Sequence, residues 1–156
     1  MSAGSWESHH AITALMFRYA ECVDAADFAG IAALFADGCI TNEGVDGAIT
    51  GPDAVRKLYE RTNRVHDDGT TRTRHLNTNV FVDIDADDQR ASARSAFVVF
   101  QQTPALPLQP IVSGRYRDTF LSAGGWHFER RHIIVDFVGD VREHLSFDLS
   151  SFVEEH

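Results

Sequence analysis

Apolar residues at Ile12, Leu15, Met16, Tyr19, Cys22 and Val23 recur every three or four positions, the period of an α-helix with one buried face. They predict a first helix over about residues 9–23. Phe28, Ile31, Leu34 and Phe35 repeat the pattern just after Asp27. The Asp27 carboxylate suits the N-cap of a second helix, because it can accept from the free amides of a first turn. The stretch DGCITNEGVDGAITGP is turn-rich and leaves room for short strands only. Pro52 fits the first position of a third helix, where a missing amide costs nothing, and Val55, Leu58, Tyr59 and Thr62 share one face of it.

After HDDGT the period changes to two, the signature of strands. Strands are predicted over residues 73–85, 90–102, 109–121 and 125–138, with DADDQ and SAGG as tight turns between neighbours. TPALPLQP reads as a longer connection, since proline cannot donate to a central ladder. Helices first and long antiparallel strands afterwards predict an α+β fold, with the helices packed on one face of a curved sheet. A single domain is expected over residues 1–156, with a core at about 9–138. Leu145, Phe147, Leu149 and Phe152 give the tail, 139–156, an apolar character, and it is expected to dock on a neighbouring subunit.

Two strands add detail. In 73–85 one face carries His75, Asn77, Asn79 and Phe81; the other carries Leu76, Thr78, Val80, Val82 and Ile84. The mixed face is expected to look into a pocket and the apolar face to pack against a partner. The strand 90–102 is apolar on both faces, with Phe97 and Val99 opposed to Val98 and Phe100. Helices can cover one face only, so a homo-oligomer, a dimer or a trimer, is expected.

Composition narrows the function. A chain of 156 residues is long enough to bury one sizeable core. A net charge of −9 provides no basic field for nucleic acid or an anionic membrane surface. No apolar run reaches the length of a bilayer span, and MSAGSWESHH lacks the basic and apolar regions of a signal peptide. Cys22 and Cys39 are too few for a disulfide framework or a thiolate metal site. The expectation is a cytoplasmic protein with free thiols and no metal or organic cofactor.

The helix pair ITALMFRYAECVDAADFAGIAALFADGCI, the strand TRHLNTNV and the closing GRYRDTFLSAGGWHFERRHIIVDF resemble the SnoaL-like group of the nuclear transport factor 2-like superfamily. Within it they are most similar to the scytalone dehydratase and bile-acid dehydratase types. The resemblance runs from about residue 12 to 138 and is carried by diffuse motifs. It implies a cone-shaped, curved, mainly antiparallel sheet whose N-terminal helices enclose an apolar pocket, in a homo-oligomer. Tyr19 matches a pocket tyrosine of the bile-acid type, Asp24 an aspartate of both types, and His75 their catalytic histidine. The departures are equally specific. Gln101 is the nearest counterpart of a second histidine in scytalone dehydratase. Arg115 falls near its pocket asparagine, Ser113 keeps a serine position, and Val23 replaces a tyrosine. The implied substrate is therefore a small hydroxylated cyclic or polycyclic ketone other than scytalone.

Read on the residues alone, Tyr19 is a core aromatic, Asp24 ends a helix, and His75 lies on the wet face of a half-buried strand. Read with the resemblance, the three supply a cofactor-independent dehydratase. Histidine serves as base and acid near neutral pH, the carboxylate orients it, and a phenol donates to an oxygen that gains charge. An isomerase or polyketide cyclase on the same fold, or a non-catalytic binding module, are the alternatives. Arg115 and Arg117 share one strand face, and Tyr116, Asp118 and Phe120 share the other. On the last strand Arg131 and Ile133 oppose Arg130 and His132. The resemblance turns Ser113, Arg115, Arg131 and Ile133 toward the pocket, so Asn77, Asn79, Ser113, Arg115 and Arg131 are the expected substrate-binding residues. One bulge would exchange the faces, which keeps His132 in view.

Overall fold

The structure is a computed structural model that describes residues 5–149. Helix α1 (Trp6–Asp24) buries Ile12, Met16, Tyr19, Cys22 and Val23. It starts before the apolar stripe does, because the Ser5 hydroxyl accepts from the amide of Ser8 at 3.0 Å and caps the end. Helix α2 (Phe28–Leu34) is capped by Asp27, whose carboxylate accepts from the amide of Gly30 at 2.8 Å. Helix α3 (Pro52–Thr62) opens with proline after Gly51, which sits at φ 82°, a backbone region glycine enters without strain. Among the described residues no helix is long and apolar enough to cross a membrane.

The strands are β1 (Cys39–Asn42), β2 (Ile49–Thr50), β3 (Thr73–Ile84), β4 (Arg90–Thr103), β5 (Leu106–Ser122) and β6 (Trp126–Val138). They form one curled, unclosed sheet in the order β2-β1-β6-β5-β4-β3, antiparallel except where β1 runs parallel to β6. This is the α+β architecture expected from the sequence. Helix α1 crosses the inner face of β3 and β6, and α2 packs on α3. The core fills the space between them, with Phe35 stacked on Phe128 and Phe97 stacked on Tyr116.

Strand β5 begins earlier than expected. Thr103 pairs with Leu106, so TPALPLQP is a tight hairpin with two prolines inside the strand. Pro110 sits beside a register shift between Val99 and Phe100, where a missing donor is tolerated.

Strand β3 carries a bulge. Thr78 pairs with Ala96 and Phe81 with Arg94, so two residues face one across the ladder, and Asn79 takes φ 51°. Asparagine is among the few residues that enter this region readily. The bulge inverts the alternation. Before it, Thr73, His75 and Asn77 are turned inward; after it, Val80, Val82 and Ile84 are the ones that pack on the core. The apolar face that the sequence shows as continuous is thus divided, and Phe81 lies on the outer surface with the Arg94 guanidinium 4.1 Å from its ring centre.

The described part of the tail docks on its own chain. Asn63 bridges to Leu145, the Arg64 amide donates to the His144 carbonyl at 2.8 Å, and Leu145 and Leu149 pack on the core. Phe152 lies outside the described residues.

Candidate active site

Asp24 is the last residue of α1, and the Thr71 hydroxyl donates to the carbonyls of Val23 and Asp24 at 3.0 and 3.2 Å. This ties the helix end to the start of β3. The Asp24 carboxylate accepts from the His75 ring Nδ1 at 2.6 Å, from the Thr73 hydroxyl at 2.7 Å and from the His75 amide at 2.9 Å. Burial by itself pushes the Asp24 carboxyl up. The His75 ring, its charge, its amide and the Thr73 hydroxyl outweigh that and leave it below the usual carboxylate value. With Nδ1 donating to Asp24, Nε2 is the nitrogen left to exchange a proton.

His75 lines a cavity of about 450 Å³ between helices and sheet. The walls are apolar, with Val23, Phe97, Val99, Val112, Ile133 and Val135, and three tyrosines share them: Tyr19, Tyr59 and Tyr116. The hydroxyls of Tyr19 and Tyr59 are in direct hydrogen-bond contact, and both neighbouring rings meet Tyr19 edge-on, Tyr59 at 6.2 Å and Tyr116 at 6.0 Å. Burial raises all three phenols above their ordinary value, so they are neutral donors at physiological pH. Asp24 lies behind His75 and opens onto a separate groove outside the sheet, which His75 and Asn77 also line.

Behind the tyrosines lies a buried ion pair. Asp118 and Arg131 are direct cross-strand partners. They join through two hydrogen bonds at 2.9 and 2.8 Å, with both side chains at 0 % exposure. The guanidinium carbon is 3.9 Å from the Tyr116 ring centre and 4.3 Å from that of Tyr19. Burial alone would lower the guanidinium pKa; Asp118 more than compensates and raises it.

The structure brings Tyr19, Asp24 and His75 together, and it scatters the expected substrate-binding set. Asn77 is half-buried beside α1, its amide 3.4 Å from the Met16 carbonyl, and it lines the outer groove. Asn79 is exposed at the bulge. Ser113 donates to the Phe97 carbonyl at 2.9 Å, and the exposed Arg115 forks onto Asp136 at 2.8 and 2.7 Å. Both are on the outer side of β5, because Val112, Gly114, Tyr116, Asp118 and Phe120 are the positions turned inward. Arg131 does face inward, yet it is committed to Asp118 behind the tyrosines. His132 is not among the residues that line the cavity; it is bonded to Thr41 at 2.8 Å and Glu43 at 2.7 Å. Gln101 is buried and donates to the carbonyls of Thr71 and Glu143. Among the described residues no group of three or more His, Cys, Asp or Glu is arranged to hold a metal ion.

Sequence reasoning missed Tyr59, Tyr116 and His144 as cavity residues. Tyr59 was visible on the apolar stripe of α3, and Tyr116 on the strand face opposite Arg115. His144 had no local signal at all.

A model of the SnoaL-like domain matches residues 5–132. The chain belongs to the SnoaL-like family. Among solved structures, this SnoaL-like chain is similar to a scytalone dehydratase candidate from Novosphingobium aromaticivorans, at 27% identity and a TM-score of 0.70 over 90% of this chain and 91% of that one. A Mycobacterium tuberculosis protein of unknown function is 29% identical, with a TM-score of 0.69 over 85% of this chain and 74% of that one. An NTF2-like protein with a cystatin-like fold, also from Novosphingobium aromaticivorans, is 23% identical with a TM-score of 0.69 over 83% and 82% of the two chains, a likeness of fold. No curated protein matches the SnoaL-like chain.

Proposed function

We propose that this protein is a cofactor-independent lyase, a dehydratase acting on a small hydroxylated cyclic or polycyclic ketone. The observation that carries the reading is His75, held through Nδ1 by Asp24 at 2.6 Å and facing an apolar, tyrosine-lined cavity. In a β-hydroxy ketone, Nε2 of His75 takes the proton from the carbon next to the carbonyl. The electron pair moves onto the carbonyl oxygen, and a phenol of the Tyr19–Tyr59 pair donates to it. The imidazolium, stabilised by Asp24, returns the proton to the hydroxyl as the carbon–oxygen bond breaks. The products are an unsaturated ketone and one water, and His75 ends neutral. A volume of about 450 Å³ lies in the usual range for small-molecule sites, roughly 300–1,000 Å³, and accommodates a bicyclic skeleton.

The test is incubation with a panel of cyclic β-hydroxy ketones, followed by mass spectrometry. The expected product is lighter by one water. A product of unchanged mass makes the protein an isomerase or cyclase using the same base, and no conversion of any member in excess of buffer sinks the lyase reading.

The same reading includes self-association. Leu76, Phe81, Leu108 and Phe137 are exposed on the outer side of the sheet, Phe137 at 74 %. That surface suits burial against a second copy. Sedimentation at micromolar concentration is expected to show a dimer or trimer, and a monomer would count against it.

A further inference from the structure

Among the described residues outside the Asp24–His75 dyad, His144 is a buried ionisable side chain with an unpaired polar atom. It is 4 % exposed and lines the same cavity as His75. Its ring stands edge-on to the His75 ring at a centroid distance of 5.9 Å. Nδ1 is buried without a partner, and no hydrogen bond to Nε2 is made among the described residues. An apolar side chain of similar shape would fill the space without leaving polar atoms unpaired. Burial, reinforced by His75 alongside, pushes the imidazole down to about 3, so the ring is neutral at physiological pH, with one nitrogen a donor and the other an acceptor.

The segment that delivers it is firmly held. The Arg64 amide donates to the His144 carbonyl at 2.8 Å. One residue earlier, the Glu143 carbonyl accepts from His66 Nε2 at 2.8 Å and from Gln101 Nε2 at 3.0 Å. Two segments distant in sequence, the loop after α3 and strand β4, thus fix the approach of a ring that makes no hydrogen bond among the described residues.

We infer that His144 is a second ligand-contacting histidine, whose imidazole presents Nε2, the nitrogen not sealed off by protein, to a hydroxyl or carbonyl oxygen of the bound molecule beside His75. This rests on the proposed reading in placing the ligand next to His75. It adds that the ligand carries an oxygen on the ring edge that His75 attacks, and that the C-terminal segment contributes to specificity. The geometry divides the two rings: His75 is backed by a carboxylate and can carry charge, whereas His144 has no such support and acts as a neutral hydrogen-bonding group.

The test is a binding comparison that needs no turnover, so it stands apart from failure of the lyase reaction. Affinities for 1-naphthol and for naphthalene, which differ by one hydroxyl, are measured by NMR titration of the amide spectrum. Wild type is expected to bind 1-naphthol more tightly. The variant His144→Phe is expected to cut that preference by roughly three- to tenfold, the worth of one hydrogen bond, with naphthalene affinity little changed and the amide spectrum otherwise preserved. His144→Gln, which keeps a donor and an acceptor, is expected to recover part of the preference. The inference is overturned if wild type shows no preference for the hydroxyl, or if His144→Phe weakens both ligands alike.

Discussion

Asp118→Asn is expected to destabilise the protein by about 3–5 kcal/mol, the usual cost of removing one partner from a buried ion pair. Arg131 and Asp118 are both fully buried, so bulk solvent does not screen the charge left behind. The guanidinium is also the surface on which Tyr19 and Tyr116 rest, so a displaced Arg131 would disturb the cavity wall. Replacing both residues together, as Asp118→Leu with Arg131→Met, is expected to cost far less, because no uncompensated charge is left behind. Urea unfolding of the three variants checks this. A loss below about 1 kcal/mol for Asp118→Asn, the scale of an exposed pair, would show that the pair is not electrostatically isolated.

His75→Ala is expected to lower turnover by roughly 10²–10⁴-fold, the span of general acid–base contributions, in a protein that still folds. Asp24→Asn should follow it closely, since an amide can hold the ring but not stabilise its cation. Asp24 supplies a second, independent readout. Its carboxyl lies below the ordinary value in the folded chain, so it contributes stability above the unfolded carboxylate pKa, about 3.9. That contribution fades as pH falls through the folded value. The stability difference between wild type and Asp24→Asn is therefore expected to be full at neutral pH and to shrink on acidification below about pH 4. Steady-state kinetics and acid unfolding measure the two effects. Full activity in Asp24→Asn, or a stability gap that widens in acid, would contradict the dyad.

Much of the fold was legible because its signals are local. The stripe from Ile12 to Val23 and the caps at Asp27 and Pro52 report on a helix turn by turn. The strands from Thr73 onward show period two within a few residues. The candidate trio was reached by resemblance, since Tyr19, Asp24 and His75 are each unremarkable in their own segments. The inward placement expected of Ser113 and Arg115 did not hold, because a ladder decided the matter. The alternation along β5 puts Tyr116 inward and Arg115 outward, and only the pairing with β6 shows that Arg131 spends its charge on Asp118. His144 was invisible for a different reason. Its place beside His75 depends on bonds to Arg64, His66 and Gln101, contacts that no periodicity encodes.

The bulge at Asn79 has a consequence for how such a protein can change. It makes β3 two half-strands in opposite phase: the first turns His75 toward the cavity, while the second anchors Val80, Val82 and Ile84 in the core. Because the halves are uncoupled in phase, the leading one can be rewritten for a different chemistry with the trailing anchor untouched. A single edge strand then serves as a replaceable cassette mounted on a fixed frame.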